Sequence, residues 1–206
     1  MDIKRAIEAV QAKLGVEVDG RAGPETWKAI YTAIVGDGGL AAGLIDNASA
    51  TVDQRSEKII AQLHPRIHPY ARALVKQAGA VGIQIKLISG LRTYAEQDKL
   101  FAQGRTDFSK GKKKVTNARG GESNHNFGLA FDIGVFDNET YLQTSPKYKA
   151  VGAIGLELGL EWGGNWKSIV DQPHFQLRPD WAKGLSEKAM LAQLRERHSE
   201  QQDYFA

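Results

Sequence analysis

The first 35 residues carry apolar side chains at helical spacing. Between a candidate cap at Asp2 and a candidate stop at Gly15, the apolar positions recur every three or four residues: Ile3, Ile7, Val10 and Leu14. Glycine-rich turns follow, and Pro24 suits the first turn of a second helix. The pattern therefore predicts a small helical hairpin over residues 1–36.

From about Asp53 the pattern indicates a larger domain that mixes helices and strands. Helical periodicity leads into an alternating strand, Ile83–Ile88. The pattern then predicts, in chain order, a helix at 94–103, a strand at 129–136, a helix at 145–158, a strand at 174–177 and a charged helix at 186–202. Because helices and strands do not alternate regularly, we expect an α+β fold rather than a doubly wound sheet. We divide the chain into a hairpin at 1–36, a linker at 37–52, a main domain at 53–182 and a C-terminal helix at 183–206.

Composition narrows the possible chemistry. The 206 residues include no cysteine, which excludes disulfides, thiolate metal sites and a cysteine nucleophile. The formal net charge of +3 is too small for a typical nucleic-acid-binding face. The lysines at 110 and 112–114 form either a solvated loop or a contact with an anionic polymer. We expect no membrane span and no signal peptide, hence synthesis in the cytoplasm and export with outside help.

One carboxylate stands out because it lies in an apolar strand. Asp132 is flanked by Phe131 and Ile133 and follows His125 by seven residues. A charged carboxylate in such surroundings is costly unless a positive partner compensates it. A metal ion would be such a partner, although a core acid satisfied by hydrogen bonds is the alternative for Asp132 taken alone.

A second polar group precedes the last predicted strand. Asp171 and His174 lie three residues apart at its start. Catalytic zinc usually takes three protein ligands and leaves one position open, and His125, Asp132 and His174 fit that count. Asp171 would then be free to act as general base, and Arg92 could stabilise an oxyanion or bind a substrate carboxylate.

These residues belong to four short motifs, which follow one another along the chain. The motifs are Ser89-Gly90-Leu91-Arg92, Ser123-x-His125 with Asp132, Glu161-Trp162-Gly163-Gly164, and Asp171-x-x-His174-Phe175. From about residue 53 to 181 the chain resembles the metallopeptidase family of D-alanyl-D-alanine carboxypeptidases and phage L-alanyl-D-glutamate endopeptidases. The sequence departs at Leu91, where the family often has an aromatic residue.

The resemblance implies a compact antiparallel sheet with flanking helices and a Zn²⁺ ion on His125, Asp132 and His174. It also implies that Asp171 is the base and that Arg92 stabilises the reacting carbonyl or holds substrate. Ser123 would contact substrate, unless it only forms a turn. A zinc that merely holds the fold together is the alternative, but such sites usually close all four positions.

The N-terminal hairpin carries a resemblance of its own. Residues 10–15, 18–20, 23–24 and 26–27 resemble the peptidoglycan-binding repeat of wall hydrolases. This implies that the hairpin binds cell wall, whereas a packing cap on the main domain is the alternative.

Together the resemblances imply a monomeric, bacteriolytic hydrolase of phage or prophage origin that acts on peptidoglycan. We expect an endolysin that cuts the L-alanyl-D-glutamate bond of the stem peptide and reaches the wall by holin-type release. A D,D-carboxypeptidase or dipeptidase that removes D-alanine is the alternative with the same chemistry, with Arg92 or Arg119 binding the free carboxylate. A wall-binding protein without turnover is the alternative from another class.

Overall fold

The computed structural model of the chain describes residues 2–35, 50–111, 113–167 and 169–206. The described residues belong to two units, one containing 2–35 and the other the residues from 50 onward. Residues 37–49 of the predicted linker lie outside the described residues.

The first unit is a pair of helices, α1 (Ile3–Leu14) and α2 (Pro24–Val35). The Asp2 side chain caps α1, and Gly15 ends it in the left-handed region at φ 69°. Gln11 is buried, and its Nε2 donates hydrogen bonds to Asp19 Oδ1 at 2.7 Å and to Thr26 Oγ1 at 2.9 Å. This one amide therefore ties the turn between the helices to both of them. The hairpin predicted from the apolar spacing is confirmed.

The second unit is built on an antiparallel sheet. Its strands are β1 (Gln84–Ser89), β2 (Ala130–Asp137), β3 (Thr140–Leu142), β4 (Glu161–Trp162) and β5 (His174–Gln176). The order is β1-β2-β5-β4, with β3 paired to the far end of β2. Every pairing is antiparallel. The α+β fold with an antiparallel sheet and flanking helices is confirmed.

Among the residues that the structure describes, five α-helices accompany the sheet. They are α3 (Gln54–Ile60), α4 (His68–Ala80), α5 (Tyr94–Ala102), α6 (Lys147–Glu157) and α7 (Glu187–Ser199). Helices α3 and α4 pack against β1, and α6 packs against α4 and β4. Among the described residues, no helix has the length and apolar character needed to cross a membrane.

The predicted elements differ from the observed ones mainly at their ends. The helix predicted at 94–103 ends at Ala102, and the one predicted at 186–202 covers Glu187–Ser199. Strands β3 and β4, of three and two residues, were not predicted, because neither shows an alternating pattern in the sequence.

Strand β2 is the centre of the sheet and is buried on both faces. Phe131, Ile133 and Val135 have no exposed surface, and Ala130 opposite Gln176 has none either. A strand buried on both sides reads as a continuous apolar run rather than an alternating one. Asp132 interrupts that run, so its side chain must be stabilised by specific partners.

Helix α6 sits close to the sheet because two of its residues are glycines. A Cβ at Gly155 would lie 2.4 Å from the Phe175 ring, and one at Gly152 equally close to Trp162. Phe175 lies between His174 and Gln176 on β5, so this close approach fixes the strand that carries His174.

We expect Gly155→Ala to destabilise the second unit, since the added methyl group forces the Phe175 ring to move. Overpacking of a core costs about 1–3 kcal/mol, more than the roughly 1 kcal/mol that alanine gains over glycine in a helix. Urea unfolding would measure the change. Gly79→Ala is the matched control on α4, because nothing lies within 4 Å of its Cβ. It should raise the free energy of unfolding, and an equal gain for Gly155→Ala would contradict the packing argument.

Candidate metal centre

Three side chains from separate elements meet at one end of the sheet. His125 lies in a 3-10 turn, Asn124–Phe127, Asp132 lies on β2 and His174 begins β5. The antiparallel register places Asp132 directly opposite His174. Asp132 Oδ1 lies 3.2 Å from His174 Nδ1 and 3.3 Å from His125 Nε2, and the two imidazole nitrogens are 3.2 Å apart.

The second nitrogen of each imidazole already faces an acceptor. His125 Nδ1 lies 2.7 Å from the Gly90 carbonyl oxygen, and His174 Nε2 lies 2.9 Å from Gln176 Oε1. The Gly90 carbonyl can only accept, so a neutral His125 carries its one proton on Nδ1. Its inward nitrogen therefore presents a lone pair toward the Asp132 carboxylate, and the inward nitrogen of His174 does the same when that ring carries its proton on Nε2. Three acceptors this close to one another fit a bound cation, and two imidazoles with one carboxylate form a donor set that suits zinc.

The pKa shifts in the cluster follow from the same arrangement. Burial opposes the charge of Asp132, but His125 and His174 outweigh it and hold the pKa of that carboxyl far below its usual range. Burial also opposes a charge on His174, and the hydrogen bond with Asp132 outweighs it and raises the pKa of the imidazole. The cluster thus attracts positive charge.

Arg92 lies at the edge of the cluster. Its guanidinium donates to Gln97 Oε1 at 2.7 Å and to Ser89 Oγ at 3.1 Å, and its Nη2 is 3.9 Å from Asp132 Oδ2. Gln97 is fully buried and donates in turn to the Ala118 carbonyl at 2.9 Å. Arg92 is therefore held in place beside the carboxylate rather than free in solvent.

Asp171 is positioned by the Trp-Gly-Gly segment. Its backbone N–H donates to the Gly163 carbonyl at 3.0 Å, and a Cβ at Gly163 would come within 2.5 Å of the Asp171 carbonyl oxygen. The Trp162 indole N–H donates to the Gln172 carbonyl at 2.8 Å and fixes the same turn. Burial and then the nearby Asp132 charge raise the pKa of Asp171. A carboxylate with a raised pKa is a better proton acceptor near neutral pH.

A cavity of about 960 Å³ opens over the cluster. Every residue that the sequence analysis assigned to the site lines it: Arg92, Ser123, His125, Asp132, Asp171 and His174. Ser123 precedes the 3-10 turn and makes no side-chain capping bond to it. Arg119, the other candidate for binding a carboxylate, stacks on the Phe101 ring with its Cζ 4.7 Å from the centroid.

Sequence reasoning missed two buried side-chain amides, Asn124 and Gln176, which lie beside the three candidate metal ligands. Asn124 Nδ2 donates to Gln176 Oε1 at 2.7 Å, and both residues line the cavity. Strand alternation offered a signal for Gln176, since a residue two positions after His174 points to the same face. Asn124 has no comparable signal, because its position depends on the turn geometry.

Comparison with known protein families places the chain among wall-active proteins. A family described as D-alanyl-D-alanine carboxypeptidase matches residues 60–164, which include Arg92, Ser123, His125 and Asp132. A peptidoglycan binding domain matches residues 2–30. Among curated proteins, the peptidoglycan L-alanyl-D-glutamate endopeptidase CwlK of Bacillus subtilis (strain 168) is 39% identical over 128 residues, which is 57% of this chain and 75% of CwlK.

Two solved structures are also similar. The L-Ala D-Glu endopeptidase ChiX of Serratia marcescens is 25% identical with a TM-score of 0.48, covering 65% of this chain and 93% of ChiX. A zinc-bound vancomycin resistance D,D-pentapeptidase, VanY from the VanB-type cassette, is 21% identical with a TM-score of 0.46, covering 65% of this chain and 82% of that one.

We expect the protein to bind one zinc ion per chain. The substitution His125→Ala should abolish tight zinc binding, because it leaves only two of the three protein ligands. Zinc titration with a competing chelator would measure the affinity. His198→Ala is the control, since that imidazole is exposed on α7 and contacts Tyr204 instead of the cluster. Unchanged zinc affinity in His125→Ala would remove this residue from the ligand set.

Proposed function

The chain belongs to the D-alanyl-D-alanine carboxypeptidase family, and on that premise we propose that it is a zinc peptidase of the bacterial cell wall. The observation that carries the proposal is the cluster of three facing acceptors at the base of a cavity, with a carboxylate and a guanidinium beside it. The bond we assign is the L-alanyl-D-glutamate bond of the stem peptide. The identity with CwlK, whose name gives that activity, supports this choice.

His125, Asp132 and His174 would hold the zinc ion. Zinc bound there would supply Lewis acidity, which polarises a peptide carbonyl and acidifies water. On the outer side of each ring, His125 Nδ1 faces the Gly90 carbonyl oxygen and His174 Nε2 faces Gln176 Oε1. Partners of this kind commonly orient the imidazoles of metal sites.

Asp171 is our candidate for the general base. In that role its carboxylate takes a proton from the attacking water and later delivers it to the amine that leaves. Its raised pKa and its place in the cavity wall support the assignment. Within the described residues, no N–H or O–H donates a hydrogen bond to its carboxylate, so the group is available to accept a proton.

Arg92 is our candidate for stabilising the oxyanion that develops on the scissile carbonyl. Two of its nitrogens are occupied by Gln97 and Ser89, which fixes the plane of the guanidinium. A preorganised cation of this kind need not reorganise as charge develops. Ser123, at the cavity wall, is our candidate for a substrate contact.

Removal of a terminal D-alanine is the second candidate, because the matching family is described by that activity. A carboxypeptidase needs a cation for the free carboxylate of its substrate, and Arg92 would have to supply it. The site is assembled within a single chain, which supports action as a monomer. Phage or prophage origin, a lytic role and holin-type release stay predictions.

Mass spectrometry of digested peptidoglycan tests the proposal. We expect the zinc-loaded protein to create stem peptides with a new N-terminal D-glutamate. Asp171→Asn should retain zinc but lower the rate about 100- to 10,000-fold, the usual contribution of a general base. Asp180→Asn is the control, since that carboxylate is exposed and pairs with Lys183. Release of D-alanine alone would establish the second candidate, and the absence of any product would contradict both.

We also propose that the N-terminal hairpin attaches the enzyme to the wall. The match to a peptidoglycan binding domain over residues 2–30 supports this, and Trp27, 61% exposed on α2, offers an aromatic surface. A chain without residues 1–36 should then sediment less with whole wall, while its rate on a soluble stem peptide stays the same. Equal sedimentation of the two chains would contradict the assignment.

A further inference from the structure

Gln176 lies directly behind the metal ligand His174. The two residues are separated by one position on β5, so their side chains leave the same face of the strand. His174 Nε2 lies 2.9 Å from Gln176 Oε1, and each residue is at most 5% exposed. His174 Nε2 is therefore within hydrogen-bond reach of this amide, and the orientation of the amide decides whether Nε2 donates or accepts.

The surroundings of Gln176 fix the orientation of its amide. Its Nε2 donates to Glu161 Oε2 at 2.6 Å and lies 3.5 Å from Glu187 Oε1. Its Oε1 accepts a hydrogen bond from Asn124 Nδ2 at 2.7 Å. If the amide were turned over, its oxygen would face two carboxylates and its NH₂ would face the NH₂ of Asn124. The observed orientation therefore suits Glu161, Glu187 and Asn124, and the turned orientation suits none of these three. With the amide held this way, the atom that faces His174 Nε2 is an acceptor.

Arg178 holds the two carboxylates that set this orientation. Its guanidinium forms ion pairs with Glu161 and with Glu187, the second at 2.8 Å. Glu161 lies opposite Gln176 in the pairing of β4 with β5, and Glu187 begins α7. The charges of the network thus lie on β4, on α7 and on the segment that follows β5, so that the amide between them cannot rotate freely.

We infer that Gln176 is a positioning residue that holds His174 in the tautomer with its proton on Nε2 and its lone pair on Nδ1. That lone pair points at Asp132 Oδ1, 3.2 Å away, on the side where the metal binds. For His125 the corresponding acceptor is the Gly90 backbone carbonyl. The two imidazoles are therefore prepared in the same way, one by the backbone and one by a side chain. The inference rests on the proposed zinc site.

Zinc affinity is the first test, made by competition with a chromophoric chelator. Gln176→Leu keeps the size of the side chain but removes the acceptor, and it should weaken zinc binding about 10- to 100-fold, as loss of such a partner does in other metal sites. Gln176→Glu combined with Glu161→Gln exchanges the acid and the amide, keeps an acceptor behind His174 and should recover most of the loss. Gln84→Leu, at an exposed position of β1, is the control and should bind zinc as the wild type does.

The imidazole nitrogen resonances of the zinc-loaded wild-type protein are the second test, which holds even if Gln176→Leu fails to fold. We expect His174 to show a protonated Nε2 and an Nδ1 without a proton. Undiminished zinc affinity in Gln176→Leu overturns the inference, as does a spectrum with the proton on Nδ1. A wild-type protein that binds no zinc would instead contradict the metal site itself, whatever the variant does.

Discussion

The candidate metal site depends on one largely buried carboxylate, that of Asp132, which lies among hydrogen-bond acceptors. Asp132 interrupts the apolar run of a central strand. The nitrogens that face it, His125 Nε2 and His174 Nδ1, carry lone pairs when the two rings hold their protons on the outer nitrogens, opposite Gly90 and Gln176. Three acceptors within 3.3 Å of one another repel each other unless a cation lies among them. Arg92, with its nearest nitrogen 3.9 Å from Asp132, compensates part of that charge from the side.

Asp132, Asp171 and His174 could be chosen as candidate site residues from the sequence, because each is a polar residue next to apolar ones or part of a motif. A carboxylate between Phe131 and Ile133 is costly in any fold. Asp171 lies three residues before His174, the first residue of β5, and the family motif has the same spacing. The longer helices and strand β1 followed from periodicity, since a helical repeat over several turns, or an alternation over about 4–8 residues, can be recognised in the sequence. All of these inferences used only residues that are close to one another in the sequence.

The residues of the site that could not be predicted from the sequence depend on which strands pair and in which register. Glu161 faces Gln176 only because β4 pairs with β5, and Asn124 reaches Gln176 across 52 positions of sequence. Strands as short as β4 carry no periodic signal, so the register could not be obtained from the chain alone. The buried amides looked like ordinary polar residues until the fold placed them behind a metal ligand.

The network behind the ligand also forms part of the cavity wall. Asn124, Gln176, Arg178 and Glu187 line the same 960 Å³ space as the ligands. A substitution there that changes a contact with substrate would also disturb the hydrogen bond that fixes His174. Substrate preference on this side is therefore coupled to metal binding. Residues 115–118 line the same cavity, and there the Ala118 carbonyl is linked to Arg92 through Gln97 rather than to a candidate ligand. A substitution among these residues can therefore change a contact with substrate while the hydrogen bond behind His174 stays in place.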